Sequence, residues 1–362
     1  MGISTIRIQN FKSIRDSGEV DIRPVNVLIG ANGVGKSNFI SFFKFLNRLF
    51  EQQLQLYINQ HGRANNFLYF GRKKSTFLHG TIMFDNSWRN GYSFRLEPDQ
   101  GDNLIFAGET RWLQAPGYDS PLATSLHGGG GYESILKDSK AIKDLYLQDH
   151  FHSFRIFHFH DTSFNSKVKQ PSSSTDYAYF QEDGGNLAAY LYRLQEAHPT
   201  HFKMIERTVR SIAPFFDRFY LQPDEINGQQ IFLRWLEKGS DQLFTAHNFS
   251  DGTLRMICLC TLLLQPEPPS TIIIDEPELG LHPFAIEKLA AMLKSASQRA
   301  QIIISTQSTN LLNHFDAEDV IVVDRQEEQS TFRRLDAEEL TDWLAEYSLS
   351  DLWDKNVLGG RP

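Results

Sequence analysis

The run Val25-Asn26-Val27-Leu28-Ile29 is followed at once by Gly30-Ala31-Asn32-Gly33-Val34-Gly35-Lys36-Ser37, and this octet decides how the rest of the chain is read. Its three glycines, lysine and serine stand at the spacing of a phosphate-binding loop. Such a turn lets successive backbone amides converge on a phosphate chain, and the helix start behind it adds partial positive charge. After the loop, Phe39, Phe42, Phe43, Leu46, Leu49 and Phe50 recur at helical spacing, so the order is strand, loop, helix. Gly30, Ala31, Asn32, Gly33, Val34, Gly35, Lys36, Ser37 and Asn38 are therefore expected to bind a nucleoside triphosphate, with Lys36 on the terminal phosphates and Ser37 on Mg2+.

Working outward, Ile6 and Ile8 alternate with Arg7 and Gln9 as in a half-buried strand. Short apolar runs over 76–84, 92–96 and 103–106, with a polar turn at Asp85-Asn86-Ser87, predict an antiparallel meander. Polar or glycine-rich loops are expected at Gly128–Gly131 and Pro171–Thr175. A helix is expected around Ile135–Leu147, a strand around Phe154–Phe159, and a helical stretch over 186–212. The last third alternates: strand Thr271–Ile274, helix 283–297, strand Gln301–Ile304, helix 308–315, strand Val320–Val323. Alternation of this kind builds a parallel sheet flanked by helices.

A second site element lies in that last third. Ile272-Ile273-Ile274-Asp275-Glu276 is an apolar strand ending in two carboxylates. Asp275 is expected to share the Mg2+ with Ser37, and Glu276 to polarise the attacking water. Ser250-Asp251-Gly252 opens a long helical run, with Ser250 as its N-cap and Gly252 keeping the first amides uncovered for an anion.

The order of these motifs, continued by Pro277-Glu278-Leu279-Gly280-Leu281-His282-Pro283 and Ile302-Ile303-Ile304-Ser305-Thr306-Gln307-Ser308, resembles the ABC-type ATPase heads of the RecF, SMC and OLD group. It is most similar to the stand-alone bacterial AAA-family ATPases of phage-defence or toxin-like operons. The likeness takes in Ile6–Ile14 and Asp183-Gly184-Gly185-Asn186-Leu187 as well. The fold class it implies is α/β: a P-loop NTPase of the ABC-ATPase head type with an antiparallel β subdomain and a helical subdomain. It further implies one head over 1–362: a phosphate-loop lobe with meander at 1–120, an inserted helical or variable region at 121–245, signature helix, acidic strand and switch strands at 246–335, and a C-terminal helix and tail at 336–362.

The resemblance implies a homodimer that sandwiches two ATP molecules between the phosphate loop of one copy and Ser250, Asp251 and Gly252 of the other. Glu276 would hydrolyse ATP and open the pair, and Leu279–Pro283 would cross the interface. Lys12 and Ser13 would reach nucleotide from the first turn. Relatives usually carry histidine where Gln307 stands. Glutamine can hydrogen-bond a phosphate oxygen or water but cannot become a cation, so slow turnover is expected. OLD-type relatives append a nuclease domain, for which the segment after Gln307 is too short. The implied partner is thus a separately encoded effector, a nuclease or toxin. Two other readings stand beside this one: a RecF-like ATPase acting directly on DNA, and the motor subunit of a transporter.

Composition narrows the field. The chain has 362 residues, 41% hydrophobic and 22% charged, as expected of a soluble globular protein. A net charge of -8 argues against a surface that is basic throughout, leaving Arg72-Lys73-Lys74, and more weakly Lys167 and Lys169, as local DNA contacts. Neither a bilayer-length apolar run nor a signal-peptide pattern is found, so a cytoplasmic protein without membrane partner is expected. Cys258 and Cys260 read as buried thiols. His158, His160 and Asp161, with His152 nearby, lack a closed ligand set and read as packing rather than metal ligands. Trp343 and Trp353 read as core or interface aromatics, and Leu349–Pro362 as an unstructured end.

Overall fold

The computed structural model describes residues 2–85, 90–114, 117, 121–224 and 227–361. Two compact units emerge: Met1–Phe154 together with Ala300–Pro362, and Arg155–Arg299.

The first unit contains the expected meander. Ile3–Phe11 pairs with Leu78–Phe84, which continues through Asn90–Pro98 and Leu104–Leu113, all antiparallel. Ile3, Ile6, Ile8 and Phe11 are all buried, although Ile3 and Ile6 are an odd number of residues apart. A register shift between Ile3 and Thr5 accounts for it, because one extra residue turns the strand by one face. Leu122–His127 adds a strand the sequence did not announce; it is an edge, and Leu122 is 62% exposed. Within the turn expected at Asp85-Asn86-Ser87, Asn86 and Ser87 lie outside the described residues.

Lys36–Phe50 lays its phenylalanine face on this sheet: Phe42 meets Phe11 with ring centroids 5.2 Å apart and Phe94 at 6.2 Å. A methyl group at Gly80 would lie 2.6 Å from the ring of Phe94 and 2.7 Å from that of Phe42, so glycine is what lets the helix come this close. Each fully buried phenylalanine contributes about 1.5–3 kcal/mol.

The phosphate-loop strand Val25–Ile29 is buried at every residue and runs parallel to both its neighbours, Gln301–Ser305 and Val320–Gln326. A strand covered on both faces has to be apolar throughout, which is how it reads. Val320–Gln326 turns back into Gln329–Arg334 through Glu327 and Glu328, both left-handed, which is the conformation a two-residue hairpin turn requires.

Three expectations for this unit are corrected. The helix placed at 135–147 starts later, at Ile142, and ends at His152. Gln148 Nε2 donates to the carbonyls of Leu136, Lys137 and Ser139, so these carbonyls bind a side chain instead of helix amides. The helix at 308–315 shrinks to Thr309–Leu312, after which the Asn313 side chain turns to Ser350. The tail is ordered. Ser348 caps the helix Leu349–Asp354, Trp353 and Leu358 are buried, Trp353 Nε1 donates to Gly360 O at 2.8 Å, and Arg333 donates to Leu358 O at 2.6 Å.

In the second unit the helical stretch 186–212 is two helices, Leu187–Ala197 and Pro199–Ile212. The residue before a proline is pushed out of helical geometry, and His198, with φ -136° and ψ 58°, is the break. A three-stranded antiparallel sheet, Phe216–Tyr220, Arg234–Glu237 and Leu243–Thr245, follows where helix or irregular chain was expected. Within the polar loop 171–175, Ser172–Ser173 pairs with Gln230–Ile231. The helices Asp251–Leu264 and Pro283–Ala296 flank the sequence of the buried strand Thr271–Asp275, as expected. Cys258 and Cys260 are free, buried thiols, their ionisation pushed far up by desolvation. No helix among the described residues is long and apolar enough to cross a membrane.

Candidate nucleotide site

Lys36–Phe50 begins directly on the loop. Its N-cap is Gly35, in left-handed conformation, with no side-chain cap and no acidic residue in the first turn. Many helix starts bond their first amides to a serine, threonine or aspartate side chain; this one has no such side-chain cap. The Lys36 side chain is buried and curls over the loop, its Nζ donating to Gly30 O and, at 3.0 Å, to Ala31 O. A cation and the backbone amides of a glycine-rich turn at a helix start form a donor set suited to a polyphosphate.

Two glycines of the loop are there for space. A methyl group at Gly30 would lie 2.3 Å from Val323 O, and one at Gly35 would lie 2.1 Å from Ser330 Oγ and 2.8 Å from Ser13 Oγ. The loop is thus pressed against the hairpin strands Val320–Gln326 and Gln329–Arg334 on both flanks. Ser13 and Asn38, expected to reach nucleotide, have their polar atoms engaged with each other and with Ser330: Asn38 Nδ2 donates to Ser13 Oγ at 2.7 Å, and Ser13 Oγ lies 2.7 Å from Ser330 Oγ. Lys12 turns away to Ser41 Oγ at 2.9 Å; burial, and then the charge of Lys44, lower its proton affinity. Ser330 is the residue the sequence reading missed, for it lies almost three hundred positions from the loop in a polar stretch without motif.

Gln307 stands just beyond the strand Gln301–Ser305, next to the phosphate-loop strand, with Thr306 N donating to Leu28 O at 3.0 Å. Ser308 then caps the following turn. Gln307 is therefore carried on the neighbouring strand of the same unit as the loop.

The second unit holds the other motifs. Ser250 is the N-cap expected, accepting from Thr253 N at 3.2 Å. Gly252 has a different reason from the one inferred: a methyl group there would lie 2.5 Å from Gly280 O. Arg255 completes the contact by donating to Leu279 O at 2.6 Å, and it also binds the carbonyls of Phe159 and His160 at 3.1 and 2.8 Å. The helix start and the loop after Asp275-Glu276 are thus one packed assembly. Asp251 is 3.5 Å from Lys169. Asp275 ends its strand, and Glu276 follows with φ 44°, a left-handed conformation that costs on the order of 1 kcal/mol for a residue with a side chain. Glu276 O and Glu278 O accept from Leu279 N and Leu281 N, closing two tight turns.

The signals set aside find ordinary places. His152 pairs with Glu51, the His158 and His160 rings stand 6.5 Å apart, and among the described residues no group of three or more His, Cys, Asp or Glu could hold a metal ion. Arg72 pairs with Asp102 and Lys74 with Glu328, so two cations of the basic run face acids. Asn186 is buried, and its side chain bonds Gln181, Asp176 and Tyr179, which makes Asp183–Leu187 a structural corner.

Residues 1–170 match the family model described as "AAA ATPase domain", and residues 139–313 the one described as "AAA domain, putative AbiEii toxin, Type IV TA system". Among solved structures the chain is similar to an Smc head bound to the C-winged helix domain of ScpA (TM-score 0.63, 14% identity, 94% of this chain and 100% of that one). It is also similar to the Smc head domain with an extended coiled coil bound to the C-terminal domain of ScpA from Pyrococcus furiosus (0.58, 14%, 95% and 99%) and to the SMC head domain from Thermotoga maritima (0.50, 15%, 93% and 100%). At such identities these likenesses bear on the fold. One curated protein, Urease accessory protein 2 of Cryptococcus neoformans var. grubii, is 44% identical over 91 residues, 24% of this chain; the chain spans 7% of that protein's length.

Proposed function

We propose that this chain, whose two halves match AAA-type ATPase models and whose fold is similar to that of Smc heads, is an ABC-type ATPase head that binds ATP with Mg2+ and hydrolyses it slowly, ATP closing a homodimer that controls a separately encoded effector. The observation that carries the first step is the helix start at Gly35, without a side-chain cap or an acidic residue in its first turn and crossed by the buried Lys36. Lys36 and the loop amides bind the phosphate chain. Ser37 and Asp275 would hold the Mg2+, which would supply charge neutralisation on the phosphate oxygens. Glu276 orients water and accepts its proton. Gln307 adds a neutral hydrogen bond, and so turnover is slow. Ser250, Asp251 and Gly252 of a second copy close over the nucleotide.

The defence role, an abortive-infection or toxin-like one, draws its support from the AbiEii-type description of the model matching 139–313. An effector protein docking on the head has a parallel in the two Smc heads bound to ScpA domains. DNA as a direct partner gains no support from Arg72 and Lys74, both of which face acids.

The test is titration of Mg-ATP into the wild-type protein and Lys36→Ala, with phosphate release measured alongside. The wild type is expected to bind and to release phosphate slowly. Lys36→Ala should lose roughly thirty-fold or more in affinity, as removal of a charged donor to phosphate does. Equal binding by both, or none by the wild type, overturns the proposal.

A further inference from the structure

Ser330 lies far from every motif, yet it is the residue that would collide with any side chain at Gly35, and it is 1% exposed. Its hydroxyl proton is committed, because Ser330 Oγ donates to Val34 O and a carbonyl can only accept. The proton between Ser13 and Ser330, 2.7 Å apart, must then come from Ser13. Ser13 Oγ in turn accepts from Asn38 Nδ2. The bonds run in a single direction: Asn38 amide to Ser13 hydroxyl, to Ser330 hydroxyl, to the Val34 carbonyl. They begin in the first turn of the helix behind the phosphate loop and return to the loop itself. The backbone reinforces them, with Ser330 N donating to Ser13 O at 2.8 Å.

We propose that Ser330 is a positioning residue for the phosphate loop, holding Val34 and Gly35 through a directed relay with Ser13 and Asn38. The relay fixes where the loop amides after Val34 point, and so sets affinity for the phosphate chain before any ligand arrives. In this reading Ser13 acts on the nucleotide only through Ser330, not by contact. The part concerning affinity rests on the nucleotide reading above; the part concerning loop order does not.

Ser13→Ala, Ser330→Ala and the double variant test it, with folding checked by far-UV circular dichroism. Two measurements apply. In the nucleotide-free proteins, hydrogen exchange of the loop amides from Val34 to Ser37 should speed up in either single variant. Mg-ATP affinity should fall about tenfold in either, and the double variant should be scarcely worse than the singles, since a chain of hydrogen bonds broken once is broken. Unchanged loop exchange in Ser330→Ala overturns the relay whether or not the protein binds nucleotide. Additive losses of affinity also overturn it, because they would mean that Ser13 meets the nucleotide directly. If exchange speeds up but the wild type binds no nucleotide, the relay stands and the proposed function fails.

Discussion

Glu276 leaves its strand at φ 44°, where a side-chain-bearing residue is strained, and the strain is held by the two turns that Leu279 and Leu281 close behind it. A residue kept in an unfavourable conformation next to Asp275 is consistent with a carboxylate whose direction matters more than its comfort. In the proposed mechanism Gln307 is the other residue on which rate depends. A neutral amide gives the transition state no charge, so Gln307→His should raise steady-state phosphate release roughly tenfold, from the difference of about 1–1.5 kcal/mol between a neutral and a charged hydrogen bond. Colorimetric phosphate assay at saturating ATP checks this, and an unchanged or lower rate counts against the role. The glycines illustrate how residue identity and reason can part. Gly252 was expected to bare amides, but it admits the carbonyl of Gly280.

Among the elements, the C-terminal segment departs most from expectation. Trp353 is fully buried and its indole donates to Gly360 O, and a methyl group at Gly360 would lie 3.0 Å from Val323 O and 3.3 Å from the Cα of Gly30. The tail therefore packs at the base of the phosphate loop. Trp353→Ala should cost about 3–5 kcal/mol, as emptying a core tryptophan site does. Urea denaturation measures it, and a loss below about 1 kcal/mol would mean that the tail is not docked. The sequence hid this because Asn356–Pro362 has no helix or strand propensity, and its order comes from one buried indole and backbone contacts. The strands Val25–Ile29, Thr271–Asp275 and Gln301–Ser305 were legible for the opposite reason: they are almost wholly buried and have to be apolar. The sheet formed by Phe216–Tyr220, Arg234–Glu237 and Leu243–Thr245 was not, because its strands are three to five residues long and Leu243 and Thr245 are exposed. The relay through Ser330 lay beyond motif reading altogether, being made by a hairpin that brings a lone serine back to residue 35.

At the scale of the whole molecule, the phosphate loop and Gln307 belong to one compact unit, and the Ser250 helix start with Asp275 and Glu276 to the other. The helix start is packed onto the loop after Glu276, through Gly252 and Arg255, so these two motifs move as one piece. In the proposed cycle Ser250, Asp251 and Gly252 face the nucleotide of a second copy, and hydrolysis separates the pair. Glu276→Gln keeps the size and hydrogen bonding of the side chain while removing the base, so it should bind ATP without discharging it. Sedimentation velocity of Glu276→Gln with saturating Mg-ATP is the most direct test of the ATP-gated dimer. A species of twice the monomer mass, absent without nucleotide, is the result expected. A monomer at saturating ATP would contradict the account.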